Sequence, residues 1–341
     1  MNAYFELSKS IALNQFKIVQ DLCNIVSYSS KTNPLITKIL EENTNSLFSI
    51  HFKNELKHVK DKSRVLFLLQ GTNEEELQEF LNQKITKFVV DNQTDLQVLL
   101  NFIEKTNEKI TLLLRVKLKE NTIRTEKYYV FGMDSEIVSK KILELKNHKN
   151  ISSLGIHFHR KTQNMAEWNL IYELQSMFNE EIFKNINILN IGGGLPSEYA
   201  NTNIKVFDSI YKKIIELKDF LNKNKINLMI EPGRFISAPA VKLHTEILAI
   251  HQNTIIINAS VYNSDMDALI VPVKLLVENE KESGQSYVIK GKTPCSLDLF
   301  RYKVYLENPK VGDIITFLNA GAYNFTTNFC DLEEIPTKII D

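Results

Sequence analysis

Four short clusters of residues in this chain carry side chains that can do chemistry. Lys31 follows a short apolar run in Tyr28-Ser29-Ser30-Lys31-Thr32-Asn33-Pro34. His157 and His159 flank Phe158 in the segment from Gly155 to Gln163. Three consecutive glycines, Gly192, Gly193 and Gly194, precede Leu195-Pro196. Glu231-Pro232-Gly233-Arg234 closes another apolar run. Taken singly, each has a plain structural reading: a solvated lysine, a hydrogen-bonded histidine, a tight turn and a salt-bridged turn. Taken together they offer an amine nucleophile, a backbone that can approach an anion closely, and a guanidinium fork that fits phosphate.

The elements that must position these clusters are short and apolar. Residues 24–29, 46–50, 64–69, 87–90, 110–116, 152–158, 186–191 and 226–230 read as strands buried on both faces. Between them lie stretches with helical spacing. One carries Ala166, Trp168, Leu170, Ile171, Leu174, Met177 and Phe178; another carries Val206, Phe207, Ile210, Ile214, Leu217 and Leu221. Eight alternating β and α units predict a (β/α)8 barrel over residues 1–238. Barrels place their chemistry on the loops after the C-terminal strand ends, where all four clusters fall, and favour phosphate after strands 7 and 8. A lysine beside a phosphate site points to pyridoxal phosphate held as a Schiff base, with Glu231 keeping the pyridine nitrogen protonated.

After Pro239 the pattern becomes β-rich, in residues 241–250, 254–262, 268–277, 285–291 and 313–319. This predicts a mostly antiparallel β domain over 239–341, against which the first few residues could also pack.

Composition narrows the class. Of 341 residues, 41 are Lys or Arg and 41 are Asp or Glu, so no global charge draws the chain to nucleic acid. Hydrophobic residues at 43% and charged residues at 24% fit a globular chain rather than a disordered one. No apolar run reaches the ~18–20 residues of a membrane helix, and the amphipathic N-terminus does not read as a signal peptide. Cys23, Cys295 and Cys330 are too sparse for a disulfide framework or a metal site, so the expected compartment is the cytoplasm and no metal is expected.

The clusters, in their order, resemble those of the fold-type III pyridoxal-phosphate decarboxylases, which include ornithine, diaminopimelate, arginine and carboxynorspermidine decarboxylases. Residues 28–34 resemble Y-A-V-K-A-N-P, residues 155–163 resemble G-x-H-x-H-x-G-S-Q, and residues 189–196 resemble L-D-I-G-G-G-F-P. Glu231 to Arg234 matches E-P-G-R, Gly321-Ala322-Tyr323 matches G-A-Y, and Gly291 to Asp298 resembles G-P-T-C-D-G-L-D. The resemblance implies an alanine-racemase-like barrel with a β domain. It implies that Lys31 carries the cofactor and that His159 stacks on its ring. Gly192, Gly193, Gly194, Arg234 and Tyr323 would hold the phosphate, with Thr162 in the place of a serine, and Glu231 would meet the ring nitrogen. It implies a head-to-tail homodimer with the active site at the interface, in which Cys295 is the proton donor.

Departures bear on the substrate. Arg160-Lys161 replace an apolar-Gly pair, and Ser49 stands where the family often has Asp. An ungapped alignment puts Pro294 at the family cysteine, whereas a one-residue deletion restores Cys295 to it. On either alignment the acid that reads a distal amine is missing. Val271 replaces the Arg of diaminopimelate decarboxylases, and Ala259 replaces the substrate-binding Asp of ornithine decarboxylases. Ser260, Asp267 and Leu269 lie closer to the carboxynorspermidine branch. The expectation is decarboxylation of an amino acid or amino-acid-like small molecule. The alternatives are a bulkier aminocarboxypropyl substrate, a non-catalytic cofactor-binding homologue, and a racemase; against the last, Glu231 is a carboxylate where racemases of this type use arginine. Asp265 and Asp267 read either as solvated loop acids or as substrate contacts, His157 as packing, and Arg115 as a residue near the cofactor.

Overall fold

The computed structural model describes residues 1–118, 131–324 and 331–341. It divides into two compact units. The barrel unit comprises Lys17–Pro196 and Lys205–Pro232; the sheet unit comprises Met1–Phe16, Ser197–Ile204 and Gly233–Asp341.

In the barrel unit, parallel strands β2 (Ile25–Ser29), β3 (Leu47–Ile50), β4 (Val65–Leu69), β5 (Lys87–Val90), β6 (Ile110–Arg115), β7 (Ile151–His157), β8 (Ile188–Asn190) and β9 (Asn227–Ile230) pair in chain order and close, β9 on β2. Each of the eight runs expected as strands forms one. Leu66, Val89, Leu113, Ile188 and Met229 form a buried cluster, with Ile25, Leu47 and Leu68 packed on it. Residues from strands on opposite sides of a barrel can meet only in its interior, so these fill the core. Gly155 on β7 is part of that closure. A Cβ there would lie 2.3 Å from the Ile188 carbonyl oxygen and 2.6 Å from Leu113 Cδ2.

Helices lie between the strands. In Phe207–Lys223 the buried residues are Ile210, Ile214, Leu217 and Leu221, one stripe at helical spacing. Trp168 lies just before the helix Leu170–Met177 rather than in it, and its indole N–H donates to the Asn164 carbonyl at 2.9 Å.

The sheet unit is built on β1 (Tyr4–Ser8), β10 (Val241–His251), β11 (Thr254–Ile257), β12 (Leu276–Val277), β13 (Ser286–Lys290), β14 (Leu299–Tyr305), β15 (Ile314–Leu318) and β16 (Thr337–Ile340). Its pairings are antiparallel except β1 with β16 and β11 with β13. Three of these strands, β1, β14 and β16, were not among the expected runs. Phe5 and Leu7 are buried while Tyr4 and Glu6 are half-buried, so β1 does carry a period of two, over too few residues to stand out.

The expected strand over 268–277 is corrected. Asp267–Ile270 is one helical turn, closed by the Val271 N–H on the Asp267 carbonyl at 2.8 Å, and only Leu276–Val277 is strand. Val261–Ser264 is likewise a turn, because Ser260 and Asn263 form a reciprocal capping box. A four-residue apolar run does not distinguish a strand from a helical turn, and here local capping decides.

Candidate active site

Lys31 stands in the 3-10 turn Ser30–Thr32 that follows β2. The turn is held from three sides. The Ser29 N–H donates to the Pro232 carbonyl at 3.0 Å, Ser30 Oγ meets Thr37 Oγ1 at 2.8 Å, and Tyr28 Oη donates to the Asn33 carbonyl at 3.1 Å. Asn33 then caps the helix Pro34–Asn43, with proline at its first position. The Lys31 side chain remains solvent-accessible. Its dense surroundings push the ammonium below its ordinary value; Glu55 and Glu231 pull it back up, and Arg115 adds to the push down. An amine so placed loses its proton more readily than a surface lysine and is the better nucleophile.

Glu231 follows β9 and is buried. Its Oε1 accepts a hydrogen bond from Asn190 Nδ2 at 2.7 Å and lies 3.6 Å from His157 Nε2. Burial alone would raise this carboxyl. His157 and Asn190 reverse that and bring it down to about 2, so Glu231 is ionised at any physiological pH. His157, fully buried, is itself pushed down by burial, while Glu231 pulls it back up.

The glycine turn is tied to both neighbours. The Glu231 N–H donates to the Gly192 carbonyl at 2.8 Å, and the Gly192 N–H donates to Asn190 Oδ1 at 2.8 Å. The Gly193 N–H donates to His159 Nδ1 at 3.0 Å. Since that nitrogen accepts, the neutral ring carries its proton on Nε2. His159 is solvent-accessible, and crowding holds its pKa well below the usual imidazole range. Gly192 has φ +65°, and a Cβ there would lie 2.6 Å from the Phe158 carbonyl oxygen and 2.7 Å from His159 Nδ1. Backbone conformation and contact thus both demand glycine. Thr162 is half-buried in the segment after β7, which the Asn164 N–H ties to the Gly194 carbonyl at 3.0 Å.

Lys31, His159, the glycine turn and Glu231 therefore gather at the C-terminal rim of one barrel, linked by backbone hydrogen bonds. Sequence reasoning gave no role to Asn190, Glu55 or Asp91. Asp91, after β5, ion-pairs Arg115 at 3.3 Å and accepts the Gly132 N–H at 3.0 Å. Asn190 lay inside the recognised glycine motif and could have been found there. Ser49, in the place of the family Asp, is fully buried and hydrogen-bonded to Ser27 Oγ at 2.8 Å.

The sheet unit holds the other expected site residues. Arg234 is buried and forms a two-toothed ion pair with Asp267, Nη2 to Oδ1 at 3.0 Å, and its Nη1 donates to Tyr199 Oη at 2.8 Å. Burial would lower its pKa, but Asp267 and Tyr199 more than reverse this. The Tyr323 ring lies 5.6 Å from the guanidinium carbon. Tyr323 has φ +59°, a strained conformation for a tyrosine and a common mark of functional sites. Asp265 and Asp267, for which a solvated loop was one reading, are both buried.

Cys295 is half-exposed, with Sγ 2.8 Å from Tyr262 Oη; that hydrogen bond lowers its pKa. Asp298 is fully buried, accepts the Val261 and Thr293 N–H groups, and fills the space beside Gly291, fixing the loop that carries Cys295. Cys23 is buried, and burial raises its thiol to about 12. Cys330 lies outside the described residues. Among the described residues no helix is long and apolar enough to cross a membrane.

The residues present fit pyridoxal phosphate. The barrel rim offers an accessible amine, a neutral imidazole, an ionised buried carboxylate for a ring nitrogen, and a turn in which a Cβ on Gly192 or Gly193 would collide.

Comparison with known proteins agrees with this chemistry. The chain is 25% identical over 286 residues to a diaminopimelate decarboxylase of Aquifex aeolicus, spanning 77% of this chain and 66% of that one. It is 25% identical over 248 residues to an ornithine decarboxylase of Caenorhabditis elegans, spanning 65% and 58%. It shares its fold with a diaminopimelate decarboxylase from Helicobacter pylori complexed with L-lysine, at a TM-score of 0.81 and 18% identity, over 100% of this chain and 92% of that one. Residues 13–238 match the pyridoxal-binding domain of the pyridoxal-dependent decarboxylases. The chain belongs to that pyridoxal-phosphate-dependent family.

Proposed function

We propose that this chain removes the carboxylate of an amino acid or amino-acid-like small molecule, releasing CO2 and an amine, with Lys31 as the residue that carries the cofactor. The observation that carries the reading is Glu231: a buried carboxylate, ionised, hydrogen-bonded by Asn190 and standing on the rim that holds Lys31. Bound pyridoxal phosphate supplies an electron sink that takes up the pair left when the bond from Cα to the carboxylate breaks. The chain's own residues make that possible. Lys31 would hold the cofactor through its amine, as a Schiff base. Glu231 holds a proton on the ring nitrogen. His159, its Nδ1 fixed by Gly193, presents a ring face that orients the cofactor. Gly192, Gly193 and Gly194 leave room for the phosphate, with Thr162, Arg234 and Tyr323 as its further partners.

Cys295 is the proposed donor of the proton that Cα receives, its thiol primed by Tyr262. The family resemblance places that role in a head-to-tail homodimer, each protomer supplying Cys295 to its partner's site. Substrate choice stays at the level of class. Ala259 and Val271 supply no charge where ornithine and diaminopimelate decarboxylases carry Asp and Arg, which favours a substrate without their distal charged groups, such as a bulkier aminocarboxypropyl group.

The test is the visible spectrum of the cofactor-loaded protein, scanned against amino acids from ornithine to bulky aminocarboxypropyl compounds. A Schiff-base band that shifts with one class, with CO2 released, is the expected result and names the substrate. A band that no amino acid moves would favour a non-catalytic homologue. Inversion of Cα without CO2 release would favour a racemase. Lys31→Ala abolishes band and turnover, a loss of about 10⁴-fold or more; substantial remaining decarboxylation overturns the assignment.

A further inference from the structure

Two features of the sheet unit are each unfavourable alone. The first is an arginine already engaged by a carboxylate. Both terminal nitrogens of Arg234 meet Asp267 oxygens, Nη1 also donates to Tyr199, and the rings of Tyr199 and Tyr323 each lie 5.6 Å from the guanidinium carbon. The second is an acid with no partner. Asp265 is fully buried two residues before Asp267, and among the described residues neither of its carboxyl oxygens makes a hydrogen bond. Burial and the neighbouring Asp267 push its carboxyl well above the usual range, against Lys274 and Arg234. Such a setting favours the protonated form of Asp265, and among the described residues no acceptor stands against it. Buried polar groups left unpaired are rare and call for an explanation.

We propose that Asp267 is a placeholder for phosphate on Arg234, and that Asp265 is the acid that receives Asp267 when phosphate displaces it. This rests on the reading that Arg234 helps hold the cofactor phosphate. A phosphate dianion and the Asp267 carboxylate cannot share one guanidinium in a buried setting, because like charges repel strongly where water is excluded. The displaced carboxylate needs a donor within reach, and Asp265 holds one two residues away. An acid and a carboxylate sharing one proton is a stable arrangement for two neighbouring acids. No proton leaves the site, and the one negative charge of Asp267 is spread over two carboxyl groups that share a proton. The paired arginine and the orphan acid then become the two ends of one exchange.

The exchange makes opposite predictions for two adjacent acids. The experiment is equilibrium binding of pyridoxal phosphate, and of pyridoxal lacking the phosphate, to the full chain, followed by the change in ring absorbance. Asp267→Asn removes the competitor and tightens pyridoxal phosphate about tenfold, within the ~5–150-fold range of coupling between sites. Asp265→Leu removes the receiving donor and weakens it by a similar factor. Asp265→Asn, whose amide still donates, retains the parent affinity. Pyridoxal binding moves with none of the three. Unchanged or weaker pyridoxal phosphate binding in Asp267→Asn overturns the proposal, as does unchanged or tighter binding in Asp265→Leu. The double variant Arg234→Met with Asp267→Asn separates this from the underlying reading. If it binds pyridoxal phosphate as tightly as Asp267→Asn alone, Arg234 does not hold the phosphate and the reading itself fails. Should a variant not fold, difference infrared spectra of the unaltered protein give the answer. Pyridoxal phosphate, and not pyridoxal, shifts a protonated-carboxyl band if the exchange occurs, and an unmoved band overturns it.

Discussion

Glu231 and Arg234 stand three residues apart in one tetrapeptide, and their surroundings treat charge in opposite ways. Glu231 is buried beside an amide donated by Asn190 and the imidazole of His157, neither of them a permanent charge. It is held ionised yet keeps its charge unspent. Arg234 is buried against a full opposite charge, Asp267, which cancels it. A carboxylate stabilised by dipoles can still hold a proton on an incoming group; a guanidinium paired with a carboxylate must first exchange it. Burial alone therefore does not say what a charged residue can do. The nature of its partner does.

The comparison can be broken by experiment. The largest effect falls on the cancelled pair. In the absence of cofactor and phosphate, Asp267→Asn leaves Arg234 buried without its counter-charge and costs about 3–5 kcal/mol, read from the denaturant midpoint. A loss below 1 kcal/mol would mean the pair carries little. Next is Glu231→Gln. It keeps the shape and removes the charge, so turnover falls about 10²–10³-fold, the scale of one preorganised electrostatic contact, while cofactor still binds. The pH dependence follows from the same carboxylate. Its folded-state value is depressed to about 2, so its contribution to stability is complete above the ordinary carboxylate range, and it is lost as pH falls from about 4.5 toward 2. Acid unfolding of Glu231→Gln is correspondingly less steep in that window. The smallest is Asn190→Ala, which removes one donor to Glu231 and costs about 1–3 kcal/mol, with a raised carboxyl readable by carbon NMR. If Asn190→Ala moved neither, His157 alone would hold the charge and the dipole picture would need revision.

The barrel half was legible in the sequence because its strands are buried on both faces, and short unbroken apolar runs report that directly. The clusters on the rim were legible because glycine, proline and paired charged residues at strand ends have few other uses. What escaped was set by distant pairings. β1 finds its partner in β10, more than two hundred residues on, and its five residues give too weak an alternation alone. Asp265 and Asp267 could read as solvated because nothing in residues 260–270 announces that Arg234 lies against them. Glu55 and Asp91 follow strands as ordinary acids do; their bearing on Lys31 and Arg115 exists only once the barrel closes.

The place of β1 also has a consequence for how the chain is made. It pairs with β10 on one side and with β16, near the other end of the described chain, on the other. A ribosome adding about 5–20 residues per second takes some tens of seconds to reach β10 after β1 has emerged. All that time the strand bearing Phe5 and Leu7 has no native partner, while every barrel strand is translated. The sheet unit can be completed only once β16 has been made, and the nascent chain carries an apolar strand in need of shielding until then.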